Sequence, residues 1–379
     1  MSSGIDSLLA NEKLLEKLKR QRVALLTNIS CRTSTGKESF RALNDALSTS
    51  SKAGISNLFV PEHGYNLNIS AGNIVPDVIN NLKNINIYSL YGVRKWPTNN
   101  QFSALDTLVI DLRDVGVRCF TYATTAALTV RAALDEGVKV IICDRINPIG
   151  NNRDGPTLDP KYRSFLAYFY TPFIHGQTIG SLLQSLFKQH PMSENLSIIP
   201  SQIINYKIIK KFISPSPSLQ TADSIHLYPG LVMLEGTNLS EGRGSSLSFR
   251  SVGAPWLKSE SLVDDANNWI TGVNAEVCTI KCSTGKYKGK TIPAVKFEPN
   301  YLECDGFKLG VHLLSWLANK QPEFMWKKSK FIPLDNKRYK DKSITEENYI
   351  IDNLLGNDSF RLAISKGESP INIMDKWRN

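Results

Sequence analysis

Residues 58–64 read Leu58-Phe59-Val60-Pro61-Glu62-His63-Gly64. Three apolar residues, short enough to form a buried strand, run into a proline, an acid, an imidazole and a glycine. Pro61 cannot continue a central ladder, and Gly64 permits a turn that other residues strain against. Glu62 and His63 are therefore expected on the loop at the strand's carboxyl end. In an open α/β sheet that edge is where ligands bind.

The flanking sequence alternates strand and helix patterns. Ile5, Leu8, Leu9, Leu14, Leu15 and Leu18 recur at helical spacing over residues 5–20. Arg22 to Asn28 reads as a strand, Glu38 to Leu47 as a helix, 76–83 as a helix, and Ile85 to Leu90 as a strand running into Tyr91. Leu105 to Asp111 is a further strand. A helix follows over Phe120 to Glu136, stopped by Gly137, and then a strand over Val138 to Asp144 with the turn signal Asn147-Pro148. Such alternation predicts a Rossmann-like, mostly parallel sheet with helices on both faces. The strands end in Asn28, Glu62, Tyr91, Asp111 and Asp144, so one edge should form a crevice lined by polar groups. Asp and Asn at such positions also cap helices. No GxGxxG follows the first strand and no GxxxxGK[ST] occurs, so the alternation does not imply a dinucleotide or P-loop NTPase site.

The second half has a different texture. Thr178 is a plausible N-cap for an amphipathic helix carrying Ile179, Leu182, Leu183, Leu186 and Phe187, which sets His175 just before a helix start. His175 there either bonds locally or does chemistry. The composition changes at Ser214-Pro215-Ser216-Pro217-Ser218, which divides the chain into an N-terminal domain, 1–213, and a C-terminal α+β domain, 214–379. From Tyr228 to Ser246 two acids, an arginine and an asparagine are spaced by glycines, a pattern that lets backbone approach a ligand or simply forms a surface loop. Beyond it Glu276 to Cys282, Val295 to Glu298 and Lys308 to Leu313 read as strands, and Leu262 to Ile270 and Pro370 to Trp377 as helices.

Bulk composition narrows the function classes. With 379 residues, 41% hydrophobic and 21% charged, the chain has the make-up of an ordinary soluble globular protein of two or three domains. No apolar run approaches the ~18–20 residues of a membrane span, and Met1 to Arg20 lacks an apolar signal core, so a cytoplasmic protein is expected, or a periplasmic one if a leader has been removed. Six cysteines without a CxxC pair suit free thiols in a reducing compartment. The net charge of +10 is concentrated in Lys207 to Lys211 and Lys327 to Lys342. No nucleic-acid-binding motif accompanies it. A solvated basic surface, or steering of an anionic substrate, is expected in preference to a nucleic-acid partner.

The available chemistry is that of carboxylates, imidazoles and arginines, since neither G-x-S-x-G nor HExxH occurs. Glycoside hydrolysis needs an acid beside the leaving oxygen and often a second group across the anomeric carbon. Glu62, on a strand end expected to be partly desolvated, suits the first role. Asp111, Asp114, Glu235 and Glu241 form the pool for the second.

The same residues carry a resemblance to the exo-β-N-acetylmuramidases, formerly a domain of unknown function. The matching pieces are GID (4–6), RVALLTN (22–28), PEHG (61–64), SLYG (89–92), DLRDVGVR (111–118) with Thr121 and Tyr122, DRINPIG (144–150) and HGQTIG (175–180). They continue through PSP (215–217), YPG (228–230), EGTNLSEGRG (235–244), GAPW (253–256), LLG (354–356) and Trp377. The chain departs from the family pattern at Asn66-Leu67, where a basic residue and glycine are usual, at Arg113, where glutamine is usual, and at Ile146, where proline is usual.

The resemblance implies a Rossmann-like N-terminal domain, a smaller C-terminal domain, an active site in the cleft between them, and no metal or organic cofactor. It implies exo-acting release of N-acetylmuramic acid from muropeptides or muramyl disaccharides during cell-wall recycling, with Glu62 as the catalytic acid. A non-catalytic muramyl-saccharide-binding protein of the same fold is the alternative. Candidate catalytic residues are Glu62, His63 and Asp111. Candidate substrate-binding residues are Asn28, Asp114, Arg118, Tyr122, Asp144, Arg145, Asn147, His175, Asn238, Glu241 and Arg243. The lactyl carboxylate of muramic acid calls for a forked donor, for which Arg118, Arg145 and Arg243 are candidates. Flanking glycines favour Arg243.

Overall fold

Six short segments rich in β-branched and other apolar residues pair as one parallel sheet. They are β1 (Val23–Leu26), β2 (Ile55–Val60), β3 (Asn86–Ser89), β4 (Thr107–Ile110), β5 (Lys139–Cys143) and β6 (Leu196–Ile199), in the order β3-β2-β1-β4-β5-β6. Every pairing is parallel. Strands β1 and β4 are buried along their whole length, as expected where helices cover both faces. The computed structural model describes residues 3–48, 54–76, 85–92, 94–202, 213–269, 271–301, 303–334 and 346–378. The helix expected over 76–83 falls outside the described residues save its first position, as do Lys207 to Lys211 and 335–342 of the second basic stretch.

The chain packs into two compact units. One comprises Met1–Gly116, Phe120–Gly150 and Gln177–Pro217; the other comprises Val117–Cys119, Asn151–Gly176 and Ser218–Asn379. The sequence suggests one cut at 213/214. The packing instead carries the first unit to Pro217 and joins 117–119 and 151–176 to the second, which makes the two nearly equal in length.

Register aligns the strand ends of the first unit. Phe59, Leu26, Ile110 and Ile142 form one row across β2, β1, β4 and β5. Asn28, Glu62, Asp111 and Asp144 each lie within three residues beyond that row, so the expected polar edge is present. The strand order reverses between β1 and β4, the switch point at whose carboxyl side open α/β sheets bind ligands. The N-terminal helix is two helices, Gly4–Ala10 and Glu12–Lys19. Asn11 breaks it by accepting a hydrogen bond from the Leu14 amide and so capping the second.

The second unit contains an antiparallel sheet of β7 (Ser251–Gly253), β9 (Thr291–Pro299) and β8 (Val273–Lys281), in the order β7-β9-β8. Two expectations fail here. Lys308 to Leu313, read as a strand, lies within the helix Gly306–Lys320, where Asp305 caps the start and Phe307, Val311 and Leu314 recur on a buried helical face. Tyr228-Pro229-Gly230, read as loop, lies in the helix Ala222–Leu231. Gly230 faces the second helix so closely that a Cβ there would sit 2.9 Å from the Gly310 Cα. These glycines serve a helix–helix contact rather than a ligand. Among the described residues no helix is long and apolar enough to cross a membrane, and all six cysteines are free.

Candidate active site

Glu62 lies two residues beyond β2 and is buried, at 7% exposure. Its carboxylate is held by neutral donors. The Gly72 amide donates to one oxygen at 2.9 Å, and the Thr121 hydroxyl to the other at 2.7 Å. Thr121 is the first residue of the helix Thr121–Asp135, whose N-terminal end favours a negative group. No ion pair engages Glu62 among the described residues.

The loop after Glu62 folds back on it. His63 has φ 73°, Gly64 φ 72° and Leu67 φ 57°. Left-handed backbone is costly for residues with a Cβ and persists where surrounding contacts impose it, commonly at functional sites. Here His63 Nδ1 lies 2.7 Å from the Ile69 carbonyl, and Gly72 bonds Glu62. A neutral imidazole facing a carbonyl through Nδ1 must carry its proton there, which leaves Nε2 as the basic nitrogen. Tyr65, which opens this loop, donates its hydroxyl to Glu38 at 2.9 Å.

Tyr122 lies against Glu62, and Asn28 lies beside Tyr122. The fully buried Tyr122 hydroxyl donates to the Pro215 carbonyl at 3.0 Å and lies 3.3 Å from the Glu62 carbonyl. Burial, then the Glu62 charge, push the Tyr122 hydroxyl well above the ordinary tyrosine range, so it is a fixed donor. Asn28 turns its side-chain oxygen to the Ser30 amide and hydroxyl, at 3.1 and 2.6 Å.

The remaining candidates of this unit lie along the same sheet edge. Asp111, wholly buried, is bound by Arg145 through two bonds, Nε to Oδ1 at 2.5 Å and Nη2 to Oδ2 at 2.8 Å. Arg145 also donates to the Arg32 carbonyl at 3.0 Å. Asp144 accepts from the Thr178 hydroxyl and the Gly180 amide, tying β5 to the helix Ile179–Phe187. Burial pushes its carboxyl up against the pull of those donors. Asn147 stabilises its own turn by accepting from the Ile149 amide and donating to the Gln177 carbonyl. Asp114 is buried, and its charge acts on Asp144.

The other candidates belong to the second unit. Arg118 is buried and donates to the carbonyls of Pro156, Thr171 and Leu355, a clamp on three backbone segments. Burial pulls its guanidinium down to about 10. Arg243 is held by Glu241 at 3.0 Å, by Glu235 and by the Ser218 hydroxyl at 2.9 Å, and lies over the Phe249 ring. Lys286 completes a cluster of two acids and two cations, 3.4 Å from Glu241. Burial pushes Glu235 up. For Glu241 burial is outweighed by Lys286 and Arg243, and its carboxyl falls below the ordinary range. Asn238 bonds the Glu323 carbonyl and the Met325 amide, and His175 is buried. Sequence reasoning missed Thr121 and Gly72 as the groups that hold Glu62. The start of a helix directly before Tyr122 was the one signal for Thr121.

A parallel sheet of this order, with an acid held at its carboxyl edge and an antiparallel second unit, defines a two-unit α/β protein with a Rossmann-like first half. The family model for the N-terminal part of exo-beta-N-acetylmuramidase NamZ matches residues 23–223, and that for the C-terminal part matches 226–379. A curated relative, peptidoglycan beta-N-acetylmuramidase NamZ of Bacillus subtilis (strain 168), is 30% identical over 100% of this chain and 87% of its own. Two solved DUF1343 family proteins of Bacteroides fragilis NCTC 9343 share the fold. Their TM-scores are 0.80 and 0.71 at 23% and 24% identity, over 99% and 100% of this chain and 94% of each of theirs. The chain belongs to the exo-beta-N-acetylmuramidase NamZ family of glycoside hydrolases.

Proposed function

We propose that the chain is an exo-acting glycoside hydrolase that removes N-acetylmuramic acid from the non-reducing end of peptidoglycan-derived saccharides such as MurNAc-GlcNAc, with Glu62 as general acid. The observation that carries the reading is the manner in which Glu62 is held. Its carboxyl is fixed at the sheet's carboxyl edge by a hydroxyl and an amide, with no cation bound to it among the described residues. In this reading the Glu62 proton passes to the glycosidic oxygen as the bond from that oxygen to C1 breaks. A water oxygen bonds to C1, and its proton passes to a base, for which His63 is the candidate. Asp111 takes no part in proton transfer, because Arg145 occupies both its oxygens. Release of muramic acid from small fragments in cell-wall recycling belongs to the same proposal.

The test is hydrolysis of a chromogenic β-N-acetylmuramide by wild type and Glu62→Gln. Loss of a general acid should lower kcat by roughly 10²-fold or more. Equal turnover by both proteins would remove Glu62 from the role. Binding of muramyl saccharide without turnover in either would make the chain a binding protein.

A further inference from the structure

The three arginines that suit a lactyl carboxylate on sequence grounds are all engaged. Arg243 is held by Glu235, Glu241 and Ser218, Arg118 by three carbonyls, and Arg145 by Asp111. Arg113 is different. It lies three residues beyond β4, half-buried, on the same sheet edge as Glu62. Among the described residues its one side-chain hydrogen bond is a long one from Nη1 to the Ile213 carbonyl, at 3.4 Å. Among the described residues its buried Nε has no acceptor and no carboxylate forms an ion pair with it. The like charge that acts on it is Arg145, which already binds Asp111 through two bonds. Burial and then the Arg145 charge lower the affinity of Arg113 for its proton, and the pull of Cys31 and Asp111 offsets them only in part. A desolvated guanidinium in this state is unfavourable unless an anion completes it.

The chain ties Arg113 to Glu62. The carbonyl of Ile213 receives Arg113, and the carbonyl of Pro215, two residues on, receives Tyr122, which also reaches the Glu62 backbone. Glu62 follows β2 and Arg113 follows β4, with β1 between them. Two strand spacings put the ends of β2 and β4 about 10 Å apart, a separation on the scale of a single sugar unit.

We infer that Arg113 is the specificity-determining residue for the acid group of the substrate, donating its guanidinium to the lactyl carboxylate of a muramyl ring whose anomeric oxygen lies at Glu62. This rests on the hydrolase reading above and adds which residue reads the acid. Three probes test it: the chromogenic β-muramide, its lactyl methyl ester, and the matching β-N-acetylglucosaminide. Wild type should favour the acid over the ester by about 10- to 100-fold in kcat/KM, the scale of a charged hydrogen bond. In Arg113→Gln the acid-to-ester ratio should fall to near one, and in Arg113→Lys to an intermediate value.

A wild-type enzyme that treats acid and ester alike overturns the inference, whether or not the variants fold. A folded Arg113→Gln that keeps the wild-type ratio overturns it as well. If wild type hydrolyses none of the three, the hydrolase reading fails separately. Calorimetric binding of N-acetylmuramic acid and its methyl ester then decides for Arg113. A preference for the acid that the glutamine variant loses supports the inference, while equal binding or none overturns it.

Discussion

Two carboxylates stand on one sheet edge, with a single strand between the strands that bear them, and they are held in opposite ways. Asp111 is wholly buried and locked by the two arms of Arg145 at 2.5 and 2.8 Å. Glu62 is nearly as buried, yet its partners are a hydroxyl and a backbone amide. Protonating Asp111 would strand a buried guanidinium, which costs several kcal/mol. Protonating Glu62 leaves no ion uncompensated. Burial alone therefore does not tell the two carboxylates apart; the charge of their partners does. The edge is floored by one carboxylate and served by the other.

Breaking the floor should have the largest effect on stability. Asp111→Asn leaves Arg145 buried without its counter-ion, and urea unfolding should show a loss of roughly 3–5 kcal/mol. A loss below about 1 kcal/mol would make the pair a surface-like contact. Thr121→Val acts on the other carboxylate with little change of volume. Removing one donor to the buried Glu62 should lower kcat about 10-fold and cost about 1–3 kcal/mol in the unfolding measurement; a stability loss without a fall in kcat would make Thr121 a helix-start residue only. The smallest effect belongs to the strained loop. Leu67 holds φ 57° where relatives usually have glycine, and Leu67→Gly should stabilise by about 0.5–1 kcal/mol in the same unfolding measurement. No gain would show that the half-buried leucine side chain offsets its backbone strain.

The sheet edge was legible because the signal is local. An apolar run of four to six residues followed within three residues by Asn28, Glu62, Asp111 or Asp144 needs no knowledge of distant partners. What those polar groups do was not legible, because it depends on pairing across the fold. Arg145 meets Asp111 from 34 positions away, and Thr121 meets Glu62 from 59. The glycines around Tyr228 to Gly230 misled for a related reason. Close approach of two helices and close approach of a ligand leave the same mark in a sequence. Strand β6 escaped notice because Leu196–Ile199 is four residues long and, unlike β1 and β4, is only partly buried, with Ser197 interrupting its apolar run. Arg113 stood out only as a departure from the family pattern, and its lack of an ion-paired carboxylate among the described residues is a property of the packing.

The most direct test of this division of labour sets Glu62→Gln beside Asp111→Asn, with kcat/KM on a chromogenic β-muramide and unfolding free energy measured for both. Glu62→Gln should lose about 10²-fold or more in activity and stay within about 1 kcal/mol of wild-type stability. Asp111→Asn should lose several kcal/mol and retain activity in proportion to its folded fraction. The reverse pattern, an active Glu62→Gln beside a stable and inactive Asp111→Asn, would contradict the account.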